Sequence, residues 1–578
     1  MRIIPIPCLM SCLIVLLGIA LEGCGFHAAS NPTTADPTTP AEKTAAPSPF
    51  RFTEVTEPAG LRYQWSIPGK RPLNILQTIG NGCAFLDYDN DGNLDILLVG
   101  PKLALFRGDG HGHFTDVTHQ TGLDTLTGDF LGCAVGDYDN DGYEDIYITA
   151  YRGGILLHNE ASPSGSTATA PGRIFRNVTS AAKIAPQPWG TSAAFVDVDG
   201  DGKLDLVICN YVVFGPNVQP QMCNFGGVLG SCGPKDYKPE FAVYYHNLGG
   251  GTFRDETEAY GLRKLHALSG KSLGIACADY NGSGKQSIAI ANDEMPGDLL
   301  DNKGRAFTNV GATSGTSLDA DGHPHGGMGL DWGDYNNDGK LDLVVATFAH
   351  EAKCIYRNED GALFTECSRV LGIAERSMPY IAFGVKFLDA DNDGWLDLIF
   401  ADGHVQDNIA DVDRSLTYRQ QSLVLHNLNG KRFEDVTQQA GSAFSRQIVG
   451  RGLAIGDFDN DGKMDVLMVD SEGAPLLLHN ESPSANHWLL CRLVGTKSNR
   501  DGLGALVTVE AGDRKLLRHC ATDGSYMSAS DRRVHFGLGS YSSPVTLKVH
   551  WPCGQTDTYH DVATDRVVTL REGASQPE

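Results

Sequence analysis

The stretch Asp87-Tyr-Asp89-Asn-Asp91-Gly-Asn93-Leu-Asp95 carries acids at positions 1, 3, 5 and 9 and glycine at position 6. Five further copies keep this pattern with one Asp-to-Asn change, and a seventh copy is degenerate. The start-to-start spacings are 50, 60, 82, 55, 55 and 68 residues, which fits one four-stranded repeat unit per copy. The copies begin at Asp87, Asp137, Asp197, Asp279, Asp334, Asp389 and Asp457.

This pattern predicts a binding loop for a hard cation. Oxygens at positions 1, 3 and 5 can converge on one point, and glycine at position 6 permits the sharp turn. Position 7 has no consistent side chain, as expected if its backbone carbonyl is the ligand, and position 9 supplies another carboxylate. Oxygen-only ligands favour Ca²⁺ over Mg²⁺, so we expect about six Ca²⁺ sites. The predicted ligand positions are Asp87, Asp89, Asp91, Asn93, Asp95, Asp137, Asp139, Asp141, Tyr143, Asp145, Asp197, Asp199, Asp201, Lys203, Asp205, Asp334, Asn336, Asp338, Lys340, Asp342, Asp389, Asp391, Asp393, Trp395, Asp397, Asp457, Asp459, Asp461, Lys463 and Asp465.

The residues around the loops predict strands. A short aliphatic run such as Ile96-Leu-Leu-Val99 follows each intact copy. Several copies are then trailed by a Gly-containing turn before a Phe, as in Leu425-His-Asn-Leu-Asn-Gly-Lys-Arg-Phe433, which is typical of a hairpin turn. The copy at Asp279 lacks the final acid, and the sequence leaves open whether it holds metal. We therefore expect an all-β fold, a seven-bladed β-propeller with one loop per blade.

The composition narrows the class of partner. The 578 residues include 71 Asp and Glu against 46 Lys and Arg, a formal net charge of −25. Binding DNA or RNA through phosphates needs a basic surface, so we expect no nucleic-acid partner. Much of the negative charge lies in the repeated loops, which again indicates cations.

The N-terminus reads as an export signal. Residues 1–23 combine a positive charge, an apolar run and small residues, and residues 24–49 form a Thr-, Pro- and Ala-rich linker. Leu21-Glu22-Gly23-Cys24 resembles the lipobox of bacterial lipoproteins, which implies lipidation at Cys24; plain secretion or an uncleaved anchor is the alternative. We expect an extracytoplasmic protein, in the bacterial periplasm or at the outer membrane or cell surface, with membrane contact only through that lipid. Export would permit disulfides, for which Cys223–Cys232 and Cys354–Cys367 are candidates.

The loops and their trailing hairpins resemble FG-GAP/VCBS repeats, which implies a propeller over residues 50–482 with structural calcium. After it, Asn486-His-Trp-Leu489, Gly524-Ser-Tyr526, His535-Phe-Gly-Leu-Gly539 and Val549-His-Trp-Pro-Cys-Gly554 are similar to the ASPIC/UnbV domain. That resemblance covers residues 483–573, before a short tail at 574–578. Alternating apolar residues there predict a small β-sandwich-like domain.

Catalysis is the alternative to binding. No nucleophile elbow, zinc-binding His-Glu-x-x-His or phosphate loop is visible. Asp293, Glu294, His325 and His404 lie outside the loops and could form an acid–base or second metal site if they converge. We expect a monomeric, calcium-stabilised binding protein of the cell envelope with a glycan or protein ligand; the alternative is an extracytoplasmic carbohydrate-active hydrolase or lyase.

Overall fold

The computed structural model describes residues 50–162, 172–265 and 270–578. The predicted signal 1–23, the linker 24–49 and Cys24 lie outside the described residues. Strands dominate, and no helix in the described part of the chain is long and apolar enough to cross a membrane. The prediction of an all-β protein is confirmed. The short helices are α1 Ile75–Thr78, α2 Leu262–Leu265, α3 Gly311–Ser314, α4 Ala374–Ser377 and α5 Ile409–Val412, with 3-10 turns at Leu123–Thr125, Pro234–Asp236 and Ser442–Ser445.

Within the described residues the repeats build seven antiparallel units of four strands, and the second and third units are joined into one eight-stranded sheet. In each unit the first strand precedes an acid-rich loop and the second follows it, and the aliphatic runs of the second strands are buried. Before the units lies β1 Phe52–Glu54. Units 1 to 3 contain β2 Cys83–Leu86, β3 Asp95–Leu98, β4 Ala104–Gly108 and β5 Phe114–Asp116; β6 Phe130–Gly136, β7 Asp145–Gly153, β8 Ile155–Ala161 and β9 Arg173–Asn177; and β10 Gln187–Val196, β11 Asp205–Asn210, β14 Val243–Asn247 and β15 Phe253–Asp255, with the hairpin β12 Cys223–Phe225 and β13 Val228–Gly230 inserted in unit 3.

The remaining units repeat this plan. Units 4 to 7 contain β16 Ser272–Ala278, β17 Ser287–Asn292, β18 Asp298–Asn302 and β19 Phe307–Asn309; β20 Leu330–Gly333, β21 Asp342–Val345, β22 Cys354–Asn358 and β23 Phe364–Glu366; β24 Ala382–Leu388, β25 Asp397–Asp402, β27 Val424–Asn427 and β28 Phe433–Asp435; and β30 Gly450–Gly456, β31 Asp465–Asp470 and β32 Leu476–Asn480, with β26 Gln420–Gln421 paired to β29 Gln447–Ile448 between units 6 and 7.

The N-terminal strand completes unit 7. Strand β1 pairs antiparallel with β32, and Phe52 lies opposite Asn480. The first strands of successive units contact one another from β2 through β30, and β30 contacts β2 in turn. This closed series of contacts gives a propeller-like arrangement and is consistent with the predicted seven blades.

The two predicted disulfides have different outcomes. Cys223 and Cys232 are bridged, which joins the ends of the inserted hairpin. Cys354 and Cys367 are free and buried, so that prediction is wrong. Tyr356 lies opposite Glu366 in the β22–β23 pair. Cys367 therefore shares a face with Ile355, while Cys354 points to the other face of the pleat.

The C-terminal region forms two small sheets. β33 His487–Val494 lies between β36 Val534–Gly539 and β39 Arg566–Arg571, and the second sheet has the order β35 Arg514–His519, β34 Leu506–Ala511, β37 Val545–His550 and β38 Thr556–Val562. The fully buried Trp551 is part of the apolar cluster shared by the two sheets. The predicted C-terminal β domain is confirmed.

Residues 521–531, between β35 and β36, leave this domain and enter the ring of first strands; we call them the insertion segment. Tyr526 and Met527 are fully buried. The Met527 carbonyl accepts from the Cys133 amide at 3.0 Å, and the Tyr526 hydroxyl donates to the Ile79 carbonyl at 2.9 Å. The segment hydrogen-bonds to the first strand of every unit, through Cys83, Cys133, Ser192, Ile275, Leu330, Lys386 and Ile455 in chain order.

Candidate metal loops and the pocket at the opposite end of the strands

The acid at position 1 organises each loop. In the loop 389–397, both oxygens of Asp389 accept backbone hydrogen bonds, from Asp393 at 3.0 Å and from Gly394 at 2.7 Å. The same pair of bonds, from positions 5 and 6, recurs in the other six copies. Position 4 is Asn or Gly throughout and has positive φ, for example 59° at Asn392. The loop therefore curls around its own carboxylates.

The acid at position 9 ties the loop to the sheet. Oδ1 of Asp397 accepts a hydrogen bond from the Asn427 amide at 2.8 Å and lies 3.0 Å from Nδ1 of His426. Oδ2 accepts a hydrogen bond from the Ala390 amide at 3.0 Å. Equivalent strand-three amides bind position 9 in the other intact copies. One buried carboxylate thus fixes the loop and the third strand together.

Several buried carboxylate oxygens in the loops have no hydrogen-bond partner among the residues that the structure describes. At position 3 these are Oδ1 of Asp89, Asp391 and Asp459, and at position 9 they are Oδ2 of Asp145 and Asp342. A buried charged oxygen without a partner is costly. The acid clusters include Asp87 with Asp89 and Asp95, and their ligand atoms lie close enough to hold a metal ion.

Burial raises the pKa of several loop carboxyl groups. Burial, reinforced by Asp397 and Asp393, raises the pKa of Asp391 to about 7. Burial also raises the pKa of Asp145, Asp197 and Asp457 to about 7 and that of Asp334 to about 6. A bound cation would offset this destabilisation of the charged form. The donor set therefore fits a hard divalent cation.

Several side chains at position 7 contact other groups around the loop. Lys340 and Lys463 reach Oδ2 of the position-5 acid at 2.9 and 3.0 Å, and Lys203 contacts Asp201 in the same way. The Tyr143 ring lies under the Arg173 guanidinium, 3.3 Å from its centroid, and the Trp395 ring lies against Gly430. These contacts are compatible with the predicted carbonyl role, which stays a prediction.

The degenerate copy has lost its ninth carboxylate without losing the fold. Ser287 stands at position 9, and its hydroxyl accepts the Asn302 amide at 3.1 Å. Asp279 keeps both loop amides. Asp301 contacts Asn281 of the loop and is paired with Lys303, so its charge is compensated locally. Ser287 thus keeps the bond to the third strand that an acid makes in the intact copies, but the loop has fewer oxygen atoms to bind a cation.

Two kinds of residue near the loops escape the sequence pattern. Histidines on the third strands contact loop acids, as His158 does with Asp145 at 3.1 Å and His479 with Asp459 at 3.0 Å. Its hydrogen bond to the Asp145 carboxylate raises the pKa of His158 to about 8. The recurring x-His-Asn before the hairpin was the available signal. His246 and His426 make the same kind of contact with loop acids, and in unit 1 Arg107 does so instead of a histidine.

The asparagine of the same motif joins consecutive units. Asn427 Nδ2 donates to the carbonyls of Tyr335 in the preceding loop and Leu396 in its own loop, both at 2.8 Å. Its Oδ1 accepts the Gly430 amide at 2.7 Å. We call the members of this group the bridging asparagines; they are Asn159, Asn247, Asn302, Asn358, Asn427 and Asn480.

The C-terminal domain lies against the acid loops. Arg533 donates to Asn460 Oδ1 and to the Asp457 carbonyl, both at 2.6 Å. Arg514 donates to the Asp393 carbonyl at 2.8 Å, and Arg492 donates to Asn90 Oδ1 at 2.8 Å. The loop end of the ring is thus covered by basic side chains of the C-terminal domain.

A cavity lies at the other end of the strands, where first strands begin and second strands finish. Asp293, Glu294 and His404 line it. His325 is buried beside it: its carbonyl accepts the Glu294 amide at 3.1 Å, and its Nε2 lies 3.0 Å from the Tyr356 hydroxyl. The structure thus brings three of the four candidate residues to one cavity, while the side chain of His325 contacts Tyr356 instead.

The two histidines among these residues are poorly suited to donate protons near neutral pH. Burial lowers the pKa of His325 to about 4 and, with Arg451, that of His404 to about 3. Burial raises the pKa of Asp293 to about 7, and the Tyr211 hydroxyl donates to this carboxyl at 2.5 Å. Both histidines are neutral at pH 7, so neither donates a proton readily.

Comparison with known families identifies both parts of the chain. Residues 80–148, 279–345, 334–400 and 389–468 match the FG-GAP-like repeat, and residues 495–577 match the ASPIC and UnbV family. The chain is an FG-GAP-repeat protein with a C-terminal ASPIC/UnbV domain. The resemblance inferred from the sequence is confirmed.

This FG-GAP and ASPIC/UnbV protein is homologous to cartilage acidic protein 1. It is 26% identical to the human protein over 381 residues, 63% of this chain and 51% of that protein. It is 27% identical to the Xenopus tropicalis protein over 506 residues, 82% of this chain and 71% of that one. The chain spans about half the length of the human and mouse relatives it matches.

Two solved structures align with much of the chain at low identity. An Agrocybe aegerita lectin that recognises non-reducing terminal N-acetylglucosamine aligns over 69% of this chain and 94% of its own, with 13% identity and a TM-score of 0.39. YCF48 from Cyanidioschyzon merolae aligns over 72% and 99%, with 9% identity and a TM-score of 0.37.

Proposed function

We propose that the protein is an exported, calcium-stabilised interaction protein of the cell envelope. The calcium part rests on the buried carboxylate oxygens at positions 3 and 9 of intact loops, which have no partner in the described part of the chain. Carboxylates at positions 1, 3, 5 and 9 and the carbonyl at position 7 would hold Ca²⁺ in six loops. The ion would supply the positive charge that compensates these buried carboxylates.

Calcium would also stabilise the contact between the two domains. The side chains of Arg492, Arg514 and Arg533 bind carbonyl and amide oxygens of the loops. Those oxygens are correctly placed only when the loop is curled, and a bound ion holds it so. Metal binding and docking of the C-terminal domain therefore favour the same state.

Calcium titration and chelation test this proposal. We expect about six Ca²⁺ bound per chain by calorimetry, and a large fall in melting temperature in excess EGTA. Adding Mg²⁺ at the same free concentration should restore little of the loss. An unchanged melting curve after complete chelation would show that the loops do not need metal.

The partner is proposed to be a glycan or a protein. The C-terminal domain covers the loop end of the ring, so the opposite end and the outer edges are the available surfaces. Binding should be measured on a glycan array and against isolated envelope proteins, in Ca²⁺ and in EGTA. Binding to neither class would reject the interaction function.

Export is supported by the disulfide Cys223–Cys232, because such bonds persist outside the cytoplasm. Lipid attachment at Cys24 is proposed from the lipobox-like sequence. Metabolic labelling with a palmitate analogue should mark the wild-type chain and leave Cys24→Ala unlabelled. Equal labelling of both chains would reject Cys24 as the lipid site.

A further inference from the structure

The cavity at the end of the ring away from the loops has the size of a small-molecule site. Its volume is about 360 Å³, within the range of about 300–1,000 Å³ that is usual for ligand sites. The walls are mainly apolar and include Leu273, Met328, Phe348 and Phe383. The Tyr526 ring contacts Phe383 with centroids 4.9 Å apart, so the insertion segment supports the cavity from within the ring.

One wall is a braced hairpin. Phe225 and Cys232 of the disulfide-bonded hairpin line the cavity. Asn408 Nδ2 donates to the Leu229 carbonyl at 2.7 Å, and Gln406 donates to the Ser231 carbonyl at 3.3 Å. These bonds join the hairpin to the segment that leads into α5. The cavity wall is thus held in place without a ligand, which lowers the entropy lost on binding.

His404 offers an unused hydrogen-bond donor. The side chain is 1% exposed, and its Nδ1 accepts the Gln406 amide at 2.9 Å. In a neutral imidazole the other nitrogen then carries the proton. That Nε2–H is buried and has no partner among the described residues. Leaving a buried donor unpaired is unfavourable, so a ligand with an acceptor group would satisfy it.

Glu294 offers an unused acceptor in the same cavity. Its Oε1 lies 3.1 Å from Lys235 Nζ, while its Oε2 is buried and unpartnered among the described residues. The residue has a φ of 55°, a conformation unfavourable for a glutamate and more frequent at functional sites. A ligand group that donates as well as accepts would complement both Glu294 and His404.

The charges disfavour one class of ligand. Asp293 and Glu294 are adjacent and both line the cavity, and only Glu294 has a lysine within ion-pair distance in the described chain. A carboxylate or phosphate placed here would meet these acids in a region of low dielectric constant. An apolar body with a neutral hydroxyl or amide avoids that repulsion.

We propose that this cavity binds a neutral small molecule with an apolar body and one hydroxyl or amide group. The His404 Nε2–H donates to the polar group, and Glu294 Oε2 accepts from it. The apolar body fills the space between Leu273, Met328 and Phe348. This site is separate from the metal loops, which lie at the other end of the ring.

The test uses the full chain in Ca²⁺ and the neutral fluorescent probe N-phenyl-1-naphthylamine. We expect saturable binding with one probe per chain and displacement by 1-octanol. Octanoate has the same chain length but a carboxylate, and it should displace the probe at least about 10-fold more weakly. Equal displacement by the two compounds would overturn the proposed ligand class.

Two variants locate the binding. Ala349→Trp fills the cavity from its wall and should abolish probe binding. His404→Phe keeps a ring and removes the donor, so octanol affinity should fall about 5-fold. Val370→Ser, at a 77%-exposed position away from the cavity, should bind like wild type. Unchanged octanol affinity in His404→Phe overturns the proposal even if Ala349→Trp does not fold.

Discussion

Removal of one bridging asparagine should destabilise two metal loops together. Asn427 is 1% exposed and makes three side-chain hydrogen bonds, to Tyr335, Leu396 and Gly430. Tyr335 and Leu396 belong to consecutive loops, 334–342 and 389–397. At about 1 kcal/mol for each bond, Asn427→Ala should lower the free energy of unfolding by about 3 kcal/mol.

The assay is equilibrium urea unfolding at fixed free Ca²⁺, with matched controls. Asn427→Asp keeps the acceptor for Gly430 but loses both donated bonds, so it should lose at least about 2 kcal/mol. Asn429→Gly is the control two residues away: Asn429 is exposed and has a φ of 56°, which glycine adopts freely. Its unfolding midpoint should match wild type.

The variant should also bind calcium less well. Because Asn427 orders the carbonyls at position 2 of one loop and position 8 of the next, two of the expected Ca²⁺ sites should weaken in Asn427→Ala. A free energy of unfolding for Asn427→Ala within about 0.5 kcal/mol of that for Asn429→Gly would refute the proposed bridging contribution.

Three further predictions concern other parts of the molecule. Excess EGTA should make the region after Pro483 accessible to protease before the repeats are cleaved; simultaneous cleavage would argue against coupling between calcium and docking. Replacing both Cys223 and Cys232 with Ser should weaken N-phenyl-1-naphthylamine binding about 5-fold, while the number of Ca²⁺ bound stays the same. Burial raises the pKa of Glu572, but bonds from Cys553 and the amides of residues 496–498 prevail and lower it to about 2. Glu572→Gln should therefore be about 2 kcal/mol less stable at pH 7, a difference that shrinks as the pH falls below about 4; a pH-independent difference would contradict it.

Local patterns in the sequence were sufficient for the loops and strands. Acids at fixed offsets, an obligatory turn and a following aliphatic run are all encoded within about 15 residues, and the structure places each where the spacing predicts. The second strands, such as Asp95–Leu98, begin at the ninth loop position. The C-terminal domain was likewise visible in alternating runs such as Val545–His550.

Features that depend on distant partners could not be predicted. The sequence places Asn427 in a hairpin turn, because Asn and Gly in Asn427-Leu-Asn-Gly430 are typical of turns. Its bond to Tyr335 instead joins residues of different repeats. The candidate pair Cys354 and Cys367 failed because strand register, which the spacing does not reveal, puts the side chains on opposite faces. The entry of residues 521–531 into the ring depends on tertiary contacts, and no local sequence pattern indicates it.

The insertion segment bears on how such a protein can change during evolution. Repeat proteins commonly gain or lose units by duplication or deletion of a repeat. Here one segment from the C-terminal domain bonds to seven different first strands, and β1 occupies the outer position of unit 7. A duplicated repeat would add a strand for which the segment has no matching residue, and a deleted one would leave a bonding group of the segment buried and unpaired. The number of repeats is therefore constrained by a part of the chain that is not itself a repeat.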